Sequence, residues 1–243
     1  MGTAKLKKDR KENFSFEITK KWPAGDPAKL QLYSLPTPNG IKVSAMLEET
    51  GLPYEAHLVS FGTNDQMSPE FLSLNPNNKI PAIIDPNGPG GKSIGIWESG
   101  AILIYLAEKT GTFLSADPAL KYETLQWVMW QMGGFGPMAG QLGFFHKFAG
   151  KEYEDRRPFE RYRDETKRLL GVLNQRLESR EFIMGADYTI ADMTSWPWAR
   201  TITGFYEAGD EVGIESFPNV TRWLDVCAAR PASLAAVNIP ARD

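Results

Sequence analysis

The stretch KLQLYSLPTPNGIKVSAMLEETG, residues 29–51, changes its hydrophobic period halfway along. In its first part Leu30 and Leu32 alternate with Gln31 and Tyr33, the period of two that a strand requires. From Asn39 onward Val43, Met46 and Leu47 fall on one helical stripe, and Gly51 closes it. The junction between them, Pro36-Thr37-Pro38-Asn39-Gly40, therefore carries the chain from the C-terminal end of a strand into the start of a helix.

The elements on the C-terminal side extend this beginning. YEAHLVSF (54–61) has the pattern of a second strand. SPEFLSLNP (68–76) is a short helix opened by Ser68 and Pro69 and stopped by Pro76. KIPAIID (79–85), the turn PNGPGGK and SIGIW (93–97) form a hairpin, and ESGAILIYLAEKTG (98–111) is a strongly apolar helix. The order βαβαββα within about 80 residues is that of a thioredoxin-like α+β domain with a mixed four-stranded sheet. It is expected over residues 30–112, after a basic N-terminal extension, 1–29. Beyond Asp117-Pro118 only long helical patterns follow, so an all-α domain is expected over 118–243. Within it YTIADM places Thr189 three residues before Asp192, a capping box with Tyr188 and Met193 spaced as a hydrophobic staple.

Composition narrows the function. The 243 residues carry a net charge of −3. Residues 1–30 hold eight Lys/Arg against four Asp/Glu, a balance of +4, so the remainder carries −7. An acidic body argues against nucleic acid as a partner, and the basic leader reads as a solvated tail rather than a binding arm. No stretch has the length of a membrane span, and the leader lacks the apolar run of a signal peptide. Cys227 is the single cysteine, so no intrachain disulfide forms, and the expected compartment is the reducing cytoplasm. His57 and His146 have no neighbouring ligand pattern, and no metal site is expected.

Three stretches have the chemistry of a ligand site. A group at the end of the first strand meets free N–H donors and the positive end of a helix dipole, a place that stabilises an anion. Thioredoxins keep a cysteine thiolate there; this chain offers the Thr37 hydroxyl and the Asn39 carboxamide, suited to a thiolate brought by a ligand. The plainer alternative is that Asn39 caps the helix and Thr-Pro is a turn. In NNKIPAI (77–83) a proline opens a strand at a sheet edge; in the cis form it would free the Ile80 backbone to pair with an extended peptide, and in trans it is only an edge-strand proline. In WESGAIL (97–103) Ser99 is a donor for a carboxylate at a helix N-terminus and Glu98 a partner for an ammonium, or the two are an ordinary cap and a first-turn acid. An extended peptide with a thiol and an amino-acid head would engage all three, and glutathione fits that description. GPGGKS (88–93) lacks the first glycine of a phosphate loop and joins two strands, so it is a turn. The aromatic run TLQWVMWQMGGFGP (124–137) and the WPW at 196–198 read mostly as core, with part of the first as a wall between the domains.

These stretches, with ERYRDETKRLLGVLNQRL (160–177) and YTIADMTSWPW (188–198), resemble the glutathione transferases, in particular the bacterial nu-class group, which is also similar to the yeast nitrogen-regulator prion protein. The resemblance implies Thr37 and Asn39 beside the glutathione sulfur, backbone pairing at Ile80 within Lys79-Ile80-Pro81 with Pro81 cis, Glu98 and Ser99 at the γ-glutamyl end, and Gln66 and Arg161 as further contacts. It implies a homodimer that binds one or two glutathiones, or glutathione disulfide, per subunit. The implied activity is glutathione-dependent reduction of small disulfides without a catalytic protein cysteine. Conjugation of glutathione to electrophiles is the nearest alternative, and a non-catalytic glutathione-binding regulator the next. The leader and the loop HKFAGKEYEDRRP (146–158) depart from the family pattern.

Overall fold

A computed structural model describes residues 16–241. Four strands, β1 (Leu30–Ser34), β2 (Tyr54–Leu58), β3 (Ala82–Asp85) and β4 (Ile94–Trp97), form one sheet in the order β2-β1-β3-β4. The β1–β2 pair is parallel, with Leu30 opposite Tyr54, and crosses over through α1 (Pro38–Thr50). The β3–β4 pair is the expected antiparallel hairpin, closed by a turn over Pro89–Gly91. β3 also lies antiparallel to β1, with Leu32 opposite Ile83. β3 is thus interior, not an edge as the sequence pattern suggested; Pro81 sits just outside its paired residues, and the Ile80–Pro81 peptide is cis.

All five residues of β1 are buried, because both faces of the sheet are covered. Leu30, Leu32 and Ile83 pack with α1 and α3 (Ser99–Thr110). Tyr33, Ala82 and Ile84 pack on the other face with Phe71 and Leu74 of α2 (Pro69–Leu74) and with Ile18. Burial raises the Tyr33 phenol to about 12, and its ring stacks on His57 at 4.9 Å. Ile18 corrects the expectation of a solvated leader over the described part of that segment. It is fully buried, the Trp22 indole donates to the Leu58 carbonyl at 2.9 Å, and Glu55 accepts from the Gly25 and Asp26 amides. Residues 1–15 of the leader lie outside the described residues.

The rest is helical: α4 (Pro118–Trp130), α5 (Gly136–His146), α6 (Arg157–Arg176), α7 (Ile190–Thr203), and the shorter α8 (Gly209–Val212), α9 (Pro218–Ala228) and α10 (Pro231–Ala236). A single π-turn, Gln131–Phe135, joins α4 to α5. One apolar core runs from the sheet through α1 and α3 into these helices, with Trp196 of α7 and Trp223 of α9 fully buried in it. Arg230, at the start of α10, clamps the end of α1 by a bidentate pair to Glu49 at 2.5 and 2.9 Å, a geometry that fixes orientation as well as charge. This pair ties the C-terminal part of the helical half to the C-terminal end of α1.

Candidate functional site

A cleft of about 1830 Å³ lies between the sheet domain and the helices. That exceeds the roughly 300–1,000 Å³ of a pocket for one drug-sized ligand. Its floor is the N-terminus of α1. Thr37, not Asn39, is the helix cap: its Oγ1 accepts from the Gly40 amide at 3.4 Å, with Pro38 at the first helical position. Gly40 is required there, since a Cβ would stand 1.9 Å from the Leu35 carbonyl oxygen. With its oxygen turned to the helix, the Thr37 hydroxyl has its hydrogen left for a group in the cleft.

Asn39 is the more informative residue. Its Oδ1 lies 3.0 Å from the indole Nε1 of Trp198, on α7. An indole only donates, so the atom facing it must be the amide oxygen, and the Nδ2 hydrogens are what Asn39 presents elsewhere. Thr37 and Asn39 are both half-buried and both line the cleft. Each has a hydrogen left to donate at the positive end of a helix, an arrangement whose chemistry suits an anion.

The second wall is the loop before β3. Lys79, Ile80 and Pro81 line the cleft, and the buried Asn75 side chain shapes the loop by donating to the Lys79 carbonyl at 2.5 Å and accepting from the Asn77 amide at 2.9 Å. The third is the N-terminus of α3. Glu98 is its N-cap, without a side-chain cap bond, at φ 73° and ψ 112°. That backbone is unusual for a non-glycine residue and is held only where surrounding structure demands it, commonly at ligand clamps. Ser99 is the first helical residue rather than the cap, and it is buried. Of the residues singled out from sequence, Thr37, Asn39, Lys79, Ile80, Pro81, Glu98 and Ser99 come together in the cleft; Gln66 and the exposed Arg161 are not among its lining.

The opposite wall was legible only in part, through the run over 124–137 that was expected to stand between the domains. Phe144 and Phe148 around the end of α5, with Phe205 and Tyr206 after α7, make an apolar flank, and Gln131 and Met132 of the π-turn reach the floor. Trp198 belongs to the WPW run read as core; Trp196 is core, whereas Trp198 opens onto the cleft. Cys227, by contrast, lies in the core on α9, where burial pushes its thiol far up, and it cannot supply a thiolate.

Two family models match the chain, the glutathione S-transferase N-terminal domain over residues 28–108 and the glutathione S-transferase C-terminal domain over residues 136–231. The chain belongs to the glutathione S-transferase family. Among characterised relatives it is 44% identical to the disulfide-bond oxidoreductase YfcG of Escherichia coli over 207 residues, covering 84% of this chain and 92% of that protein. Among solved structures it is similar to a glutathione transferase from Burkholderia graminis with two glutathione molecules bound per subunit, at 68% identity, a TM-score of 0.93, and coverage of 94% and 95% of the two chains. A Pseudomonas putida glutathione transferase with one glutathione disulfide bound per subunit gives 60% identity, a TM-score of 0.91, and coverage of 93% and 97%. The thioredoxin-like sheet domain and the helical domain are the two halves of this transferase fold. Among the described residues no helix is long and apolar enough to cross a membrane.

Proposed function

We propose that the protein is a glutathione-dependent disulfide-bond oxidoreductase whose reactive sulfur belongs to bound glutathione. The observation that carries this is the paired donor site at the start of α1, where Thr37 and Asn39 each have their oxygen engaged within the protein and a hydrogen left to give. Glutathione lies extended across the cleft, its cysteinyl backbone paired at Ile80 and its γ-glutamyl end at Glu98 and Ser99. The thiolate meets the Thr37 hydroxyl and the Asn39 amide.

Lowering a thiol pKa from roughly 8.5 to roughly 6.5 takes about 2.7 kcal/mol of preference for the thiolate. Two hydrogen bonds to an anion, each worth about 1.5–3 kcal/mol, supply it. The thiolate attacks one sulfur of a disulfide, forming a mixed disulfide and expelling the other half as a thiolate. A second glutathione thiolate attacks the glutathione sulfur of that mixed disulfide, giving glutathione disulfide and releasing the second thiolate. Two glutathiones are oxidised and one disulfide is reduced to two thiols, with no protein cysteine involved. The volume of the cleft, and the relatives with two glutathiones or one glutathione disulfide bound, support this stoichiometry.

A second reading, conjugation of the same thiolate to electrophiles, draws on the apolar flank of Phe144, Phe148 and Phe205. Parallel assays with a small dialkyl disulfide and an aromatic halide separate the two. The expected result is turnover of the disulfide far above that of the halide. The reverse ranking makes the protein a conjugating transferase, and binding of glutathione without either turnover makes it a binder. The proposal also includes nu-class membership, a homodimer and a cytoplasmic location. The exposed Trp97, Tyr122 and Met129 support pairing of copies, and light scattering of the purified chain tests it.

A further inference from the structure

Lys42, on α1 five residues beyond its cap, has no exposed surface. Its Nζ meets three acceptors: Gln131 Oε1 at 2.6 Å, Ser99 Oγ at 3.3 Å and Met132 Sδ at 3.3 Å. Three acceptors suit the three hydrogens of an ammonium group. Gln131 Oε1 is held in turn by the Thr194 hydroxyl at 3.0 Å, and the π-turn begins at that glutamine. Among the described residues no carboxylate forms an ion pair with Lys42. The one charge that acts on it is Glu98, through space, while burial pulls its pKa well down. A buried lysine held by neutral acceptors alone is costly, and the cost falls when an anion arrives.

The Ser99 hydroxyl links this group to the cleft. Its oxygen accepts from Lys42, so its hydrogen must point elsewhere, and its one partner there is the Met132 thioether at 3.6 Å, a weak acceptor that a carboxylate displaces readily. Lys42, Ser99, Gln131 and Met132 all border the cleft.

We propose that Lys42 is a positioning and specificity residue for the glutamyl α-carboxylate of glutathione. Acting through Ser99, it keeps that hydroxyl outward and, as a charged partner of its oxygen, makes it a stronger donor. The inference rests on the proposed seating of the γ-glutamyl end at Glu98 and Ser99. It gives the site a chemical preference: a peptide ligand without that carboxylate gains nothing from Lys42.

The test is calorimetric, with S-methylglutathione, whose blocked sulfur removes thiol ionisation from the measurement. Lys42→Met should weaken this ligand by about tenfold or more, as loss of a charge-assisted interaction does. Its analogue with hydrogen in place of the glutamyl α-carboxylate should bind wild type and Lys42→Met alike, within about twofold. Because Lys42 acts through Ser99, the Lys42→Met/Ser99→Ala double variant should bind no more weakly than the poorer single variant, within the same about twofold margin. Equal losses on both ligands, no loss on S-methylglutathione, or losses that multiply in the double variant would each overturn the proposal. If circular dichroism shows Lys42→Met unfolded, Lys42→Gln, which keeps a donor for Ser99 but no charge, is measured against the same two ligands with the same expectations. Wild-type protein that binds neither glutathione nor S-methylglutathione overturns the functional reading itself, a result separate from any difference between variants.

Discussion

Two helices in this protein begin in the same way and end up with opposite tasks. Thr189 caps α7 and Thr37 caps α1, each accepting from a backbone amide of the first turn. At α7 the third helical residue is Asp192, which closes a capping box. Its carboxylate accepts from the Thr189 amide and hydroxyl, the Ile183 amide and the Trp223 indole, at 2.8–3.2 Å. Burial pushes this carboxyl up to about 6, against four donors that hold it down, and those donors fill its acceptor sites. At α1 the second helical residue is Asn39, an amide rather than an acid, and its outward hydrogens face a cleft. The same threonine cap serves a rivet at α7, where the protein fills the anion site itself, and at α1 stands beside an open cleft, the place of the proposed ligand anion.

The comparison can be broken most severely at α7. Asp192→Ala strands four buried donors, each costing about 1–3 kcal/mol when unpaired, so a loss of at least about 3 kcal/mol is expected from the urea midpoint. A loss under about 1 kcal/mol, the size of an ordinary cap, would show that the box is no rivet. At α1 the corresponding change is functional. Thr37→Ala with Asn39→Ala should lower disulfide turnover about 100-fold and raise the pKa of bound glutathione by about 2, read from thiolate absorbance against pH. Retained turnover would remove both residues from the chemistry.

Smaller changes sharpen the contrast. Thr189→Ala should cost about 1 kcal/mol of stability, the value of a cap, while turnover per folded molecule stays at the wild-type level. Trp198→Phe keeps the aromatic wall but releases the Asn39 oxygen, so the amide can turn its wrong face to the sulfur. A fall in turnover of about threefold, the low end for one neutral hydrogen bond, is expected with no change in the urea midpoint. A midpoint shift without a kinetic effect would make the Trp198–Asn39 bond merely structural.

Most of the fold was legible because its signals are local. The period change after Leu35, the cap at Ser68 and the Thr189–Asp192 box need only neighbouring residues, and each stands where the pattern put it. Two features were misjudged for a common reason. The basic residues of the leader concealed Ile18 and Trp22, whose burial depends on a sheet face that the leader does not contain. The proline before β3 gave no sign that its strand is interior, because strand order is a relation between distant segments.

The site divides along the same line. By itself, the sequence determined that the anion-stabilising turn carries no cysteine and offers a hydroxyl and an amide; that Cys227 is buried in the core, away from it, only the fold decided. Only the tertiary structure decided which atoms those groups present. Trp198 fixes the Asn39 amide from 159 positions away, and Gln131 holds the Lys42 amine from 89. Hydrogen-bond direction depends on which partner arrives from the far side of a packed interface, and no spacing along a chain encodes that.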